Sequence, residues 1–84
     1  GLTNFKIYPN PSSDMFNIEF TSKIKQAMKI KITNLIGETI FTEDLIEFKG
    51  EYTYSFNLEL YSKGVYLLEI DTENGIMNKK LILK

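Results

Sequence analysis

The sequence predicts an all-β domain, an antiparallel β-sandwich of about seven short strands. Three observations carry this. Apolar residues alternate with polar ones at period two in almost every cluster, as in strands with one buried face. Isolated glycines punctuate these runs, and helical spacing is scarce. The chain has 84 residues, 43% hydrophobic and 25% charged, which suits one soluble globular domain spanning residues 1–84.

The elements follow in order. Phe5–Tyr8 is a first short apolar strand. From Met15, the residues Phe16, Ile18 and Phe20 point one way and Asn17, Glu19 and Thr21 the other. Gln26 and its neighbours fit a turn or a short helix, and the pattern does not choose between them. Met28, Ile30 and Ile32 then oppose Lys29, Lys31 and Thr33 in a strand that ends near Asn34. Gly37 in "NLIGETI" supplies a positive φ for a hairpin turn into a strand over Thr39–Glu43. The clearest strand sets Tyr52, Tyr54, Phe56 and Leu58 against Thr53, Ser55, Asn57 and Glu59, which makes the tyrosines core candidates. Asn74-Gly75 favours a type I′ turn, pairing Val65–Thr72 with Ile76–Leu83 as a closing hairpin.

Both prolines of the chain fall in "YPNP", Tyr8 to Pro11. Proline cannot donate to a β-ladder and holds the preceding residue extended, so Pro9 ends the first strand and the stretch makes a stiff corner toward Met15. Both X-Pro bonds are expected trans, the commoner isomer. In "LYSKGVYLLEI", Leu60 precedes Tyr66 by six residues and Gly64 precedes it by two. This spacing fits a tyrosine corner, whose phenol bonds back to the backbone where two sheets join. The sandwich is therefore expected to be immunoglobulin-like or fibronectin-III-like, with Tyr66 serving architecture.

Ten basic and eleven acidic side chains leave a net charge of -1, which provides no field for holding a nucleic acid. No apolar run is long enough for a transmembrane segment. The absence of cysteine and histidine removes disulfides, thiolate nucleophiles and the common proton shuttle. Glu43 with Asp44, and Asp71 with Glu73, are carboxylate pairs, but strand neighbours face opposite sides and the second pair borders a turn. Asp71–Gly75 resembles the start of a calcium loop without its closing glutamate. No enzymatic activity, metal or cofactor is expected. The chain opens on Gly1 without a signal-peptide pattern, and is expected to be excised from a longer protein.

"YPNP" near the start, "GVYLLEI" two-thirds along and the basic-apolar "NKKLILK" at the end resemble, in that order, the type A C-terminal sorting domain of the type IX secretion system of Bacteroidetes. "ITNLIGETI" is similar to the central segment of that family. The resemblance covers nearly the whole chain. It implies an immunoglobulin-like sandwich that acts as a tag, directing a covalently attached N-terminal cargo through the periplasm and across the outer membrane. The implied partners are the outer-membrane translocon and a sortase-like peptidase, which removes the domain and leaves the cargo on the cell surface or released. By position, Tyr8, Pro9, Asn10 and Pro11 match the family's first motif, Gly64 and Tyr66 its glycine-x-tyrosine motif, and Lys79, Lys80 and Lys84 its basic terminal motif. The last strand and the proline corner are expected to form the surface that is read. Flanking lysines also serve as ordinary gatekeepers at a sheet edge. The alternatives are a small extracellular module binding a glycan or protein, with Tyr61 as the aromatic left exposed, and a passive spacer.

Overall fold

A computed structural model describes residues 1–84. The alternating runs become five antiparallel strands in one sheet: β1 (Leu2–Tyr8), β2 (Met15–Asn34), β3 (Thr39–Asn57), β4 (Gly64–Thr72) and β5 (Gly75–Leu83). β3 runs along one whole edge of β2, while the other edge is shared by β1, paired over Asn17–Ser22, and β4, paired over Met28–Asn34. β5 pairs with the far side of β4.

The expected seven strands are thus five, and the difference has a local cause. The two runs expected on either side of Gln26 are halves of one 20-residue strand, and Thr39–Glu43 and the run from Tyr52 belong to one 19-residue strand that ends at Asn57, just short of Leu58. Between Ser22 and Gln26 three residues of β2 oppose one of β3, and between Gln26 and Met28 two residues of β3 oppose one of β2. Such bulges bend a strand and increase its twist without ending it. Gln26 is neither turn nor helix: its amide donates to the Ser22 hydroxyl at 3.0 Å, and both side chains are buried at the bend. The bend folds β3 back far enough that Phe41 and Phe56, fifteen residues apart on one strand, bring their ring centroids to 4.5 Å.

Even-numbered residues of β2 face inward on both sides of the bend. Phe16, Ile18, Phe20, Met28, Ile30 and Ile32 join Tyr52, Phe56, Leu58, Tyr66, Leu68, Ile70, Leu81 and Leu83 in one buried cluster. At about 25 cal/mol per Å² of apolar surface removed from water, this cluster is the main source of stability in a chain with no disulfide. Tyr54 departs from expectation. It shares the face of Tyr52 and Phe56, packing against Phe41 and Phe56, yet remains 44% exposed because β3 is an edge strand with no neighbour on its outer side.

The turns follow their side chains. Asn34 accepts the N–H groups of Ile36 and Glu38 at 3.1 and 2.9 Å, and Gly37 takes φ +88°, so the β2–β3 hairpin closes where its sequence predicts. In the β4–β5 hairpin, Thr72 pairs with Gly75 across Glu73 and Asn74, and only Gly75 has a positive φ, at +131°. The expected type I′ turn centred on Asn74-Gly75 is replaced because the Thr72 hydroxyl accepts from the Asn74 N–H and donates to the Gly75 carbonyl, both at 3.1 Å. Asn4 also has a positive φ, where two residues of β1 oppose Phe20.

Candidate recognition site at the proline corner and the last strand

β1 ends at Tyr8, as proline's missing N–H requires. The peptide bonds preceding Pro9 and Pro11 are both cis, not trans as expected. The tertiary X-Pro amide has only a weak trans preference, so the hydrogen bonds of the surrounding corner decide. Those bonds lead to the other end of the chain. The Asn10 amide donates to the Lys80 carbonyl at 2.8 Å, while its oxygen accepts the Ile82 N–H at 3.0 Å. One side chain thereby satisfies a donor and an acceptor on the outer edge of β5, as a neighbouring strand would. Ser12 continues the pairing in a parallel bridge to Leu83: its N–H donates to the Ile82 carbonyl at 3.0 Å, and its carbonyl accepts the Lys84 N–H at 2.9 Å.

The region of the middle motif meets the same corner. The Leu58 N–H donates to the Asp14 carbonyl at 2.8 Å, and the Lys63 ammonium donates to the Ser13 carbonyl at 3.0 Å. Gly64, at φ +147°, opens β4 opposite Leu83. The Tyr66 hydroxyl donates back to the Ser62 carbonyl at 2.5 Å, the bond expected of a tyrosine corner. Segments distant in sequence thus close on one another at one end of β5.

The sequence-predicted residues do not all share a surface. Asn10, Gly64, Lys80 and Lys84 converge, with Pro9 and Pro11 exposed beside them. Tyr66 is buried and supports the corner from within. Tyr8 turns toward β2, donating its hydroxyl to the Glu19 carboxylate; that hydrogen bond holds the phenol above the usual tyrosine range. Lys79 and Lys80 lie on opposite faces by strand alternation, and the Lys79 ammonium sits 5.9 Å from the centre of the Phe5 ring. Tyr61 is exposed but is not the aromatic that stands out, since Tyr8 and Tyr54 are slightly more so; it lines an open groove between the β2–β3 turn and the β3–β4 loop.

Sequence reasoning missed four participants. Ser12, Asp14 and Lys63 act through backbone carbonyls or N–H groups far away in sequence, for which no local pattern exists. Ile82, by contrast, was legible: with Leu81 and Leu83 inward, strand alternation turns it outward beside Lys80. Leu67, opposite Lys80, faces the same side, and both apolar side chains are 39% exposed.

No cluster of three or more metal-ligating side chains is present, and the structure has no helix long and apolar enough to cross a membrane. An all-β domain whose separated motifs are hydrogen-bonded into one edge defines a class, that of domains which present a surface. A family model described as a secretion system C-terminal sorting domain matches residues 6–84. The chain belongs to this family: it is a C-terminal sorting signal of the type IX secretion system, which directs export to the cell surface or extracellular space. It is also 34% identical over 83 residues to an endo-acting ulvan lyase of Formosa agariphila. That match takes in 98% of this chain and 15% of the lyase, so the chain spans about a seventh of that relative's length.

Proposed function

We propose that the sorting signal is read on the composite edge where the proline corner clamps β5. The carrying observation is the pair of hydrogen bonds from one side chain, Asn10, to Lys80 and Ile82. They fix the outward side chains of β5 relative to Pro9 and Pro11 and present Lys80, Ile82 and the Lys84 terminus as one surface. In this reading residues 1–84 are a single non-catalytic domain behind an N-terminal cargo. The cargo-bearing protein passes through the periplasm, the outer-membrane translocon reads the composite edge, and a sortase-like peptidase then separates domain from cargo.

This reading includes an immunoglobulin-like, two-layer arrangement of the sheet. The contact of Phe41 with Phe56 across the bend of β3 and the Tyr66 bond to Ser62 are what such an arrangement requires. The bulges then act as the points where β2 and β3 pass from one layer to the other.

Removing Leu81–Lys84 is a poor test, because Leu81 and Leu83 belong to the core. The informative variant is Lys80→Glu with Ile82→Ser, which alters outward side chains alone. Behind a fluorescent cargo in a Bacteroidetes host, residues 1–84 are expected to deliver fluorescence to the surface or medium. The double variant is expected to leave it in the periplasm, with the melting temperature of the domain within a few degrees of the parent. Undiminished secretion would remove this edge from recognition.

A further inference from the structure

Four large apolar side chains project from two adjoining loops at one end of the molecule. Leu35 and Ile36, in the β2–β3 turn, are 67% and 82% exposed. Leu60, in the β3–β4 loop, is 94% exposed, and its neighbour Tyr61 is 41% exposed. Leu35 and Tyr61 line the same open groove of about 640 Å³, whose walls include Ile40 and Val65. Isolated exposed apolar residues are ordinary, but four on two adjoining loops, two of them lining one groove, form the kind of patch that marks a contact site. None of them takes part in the clamp on β5, and none is needed by the core.

The strand directions set where this patch lies. Asn34 pairs with Tyr66 and Gly64 with Leu83, so the patch is at the end of the sheet where β5 finishes. Gly1 lies at the other end, sharing a groove with Thr72, Gly75 and Ile76. The length of β4, about 26 Å at 3.3 Å per residue, separates the two ends. In a C-terminal sorting domain the cargo precedes the domain and so joins at the Gly1 end. The apolar patch therefore faces away from the cargo, on the same end as Lys84.

Its charged surroundings select the occupant. Loops that enter an anionic membrane surface carry lysine or arginine around their apolar tips. Here Glu38 and Lys63 line the groove and Glu59 precedes Leu60, so carboxylates outnumber the ammonium, which is turned to the Ser13 carbonyl. Carboxylates beside apolar tips suit a protein cleft that is apolar inside and cationic at its rim.

We infer that Leu35, Ile36, Leu60 and Tyr61 form a second docking surface, which inserts into an apolar, cation-rimmed cleft on a protein of the export machinery. This rests on the sorting reading. It adds a contact that the composite edge does not contain.

The test uses the cargo-bearing protein with the parent domain, with Leu35→Ser/Leu60→Ser, and with Ile46→Ser, an exposed apolar residue outside the patch. Secretion of the parent is required first, and its failure counts against the sorting reading itself. With the parent exported, the double variant is expected to lower secreted cargo by about tenfold or more, equivalent to about 1.4 kcal/mol, while Ile46→Ser secretes normally. Thermal unfolding of the double variant should match the parent, and the serine changes leave Lys80 and Ile82 untouched. Normal secretion of the double variant overturns the inference and leaves the sorting reading standing. Two other outcomes overturn it as well. One is binding of the parent, lost in the double variant, to vesicles of phosphatidylethanolamine and phosphatidylglycerol, which makes the occupant lipid. The other is a dimer of the parent in sedimentation that the double variant abolishes, which makes it a second copy.

Discussion

The Tyr66 hydroxyl and the Ser62 carbonyl, four residues apart, are hydrogen-bonded at 2.5 Å across the corner that leads from the β3–β4 loop into β4. The Tyr66 ring is buried while Ser62 is exposed, so loss of the bond leaves a carbonyl that water can reach. Tyr66→Phe keeps the packing and removes the bond. A loss of about 0.5–1.5 kcal/mol is expected, read as a fall in midpoint in urea with an unchanged slope. A Tyr66→Phe domain as stable as the parent would show that packing alone holds the corner.

Asn10 makes a more local prediction. Its oxygen protects the Ile82 N–H, an amide on the outer edge of β5 with no strand beside it. Asn10→Ala should accelerate hydrogen exchange at Ile82, while the Leu81 amide, on the β4 side, stays protected. Equal acceleration at both would mean that the whole strand had loosened.

Gly64 opens β4 at φ +147°, where a side chain is strained even though a Cβ there would meet nothing within 4 Å. Gly64→Ala is therefore expected to cost about 1–3 kcal/mol through the backbone alone. Thermal unfolding measures it, since about 1 kcal/mol corresponds to a shift of about 4–8 °C in a domain of this size. Gly1→Ala, where no positive φ is imposed, should change nothing.

Tyr52 links the two halves of β3 by donating to the Glu43 carboxylate at 2.7 Å. Burial, then the hydrogen bond and charge of Glu43, raise its phenol well above the ordinary tyrosine value of about 10. A neutral phenol favoured by the fold contributes stability that is complete below the unfolded-state value and declines as pH rises beyond it. Stability of the parent should thus fall steeply above about pH 10, and Tyr52→Phe should flatten that alkaline fall. An identical alkaline profile in the variant would assign the decline to other groups.

Much of this molecule could be read from alternation. The inward set on β2, the β2–β3 turn at Gly37 and the tyrosine corner all follow from residues within one run or one turn. The strand number did not, because the bulge at Ser22–Gln26 breaks the period locally while the ladder resumes in the same sense beyond it. Polar Ser22 and Gln26 look like surface in sequence and are buried where the bend brings the Gln26 amide to the Ser22 hydroxyl. The candidate site was legible as three motifs and not as one place. What joins Asn10 to Ile82 is a hydrogen bond across 72 positions, and no periodicity reports such a contact.

The clamp of Asn10 and Ser12 on β5 gives the molecule an order of events. The corner is made before the atoms it holds, which belong to Lys80, Ile82 and Lys84 at the far end of the domain's sequence. A chain cut short by stalled synthesis, or clipped by a protease, keeps its proline corner with nothing to grip. The outer edge of β5 is thus stitched only in a domain synthesised through its last strand.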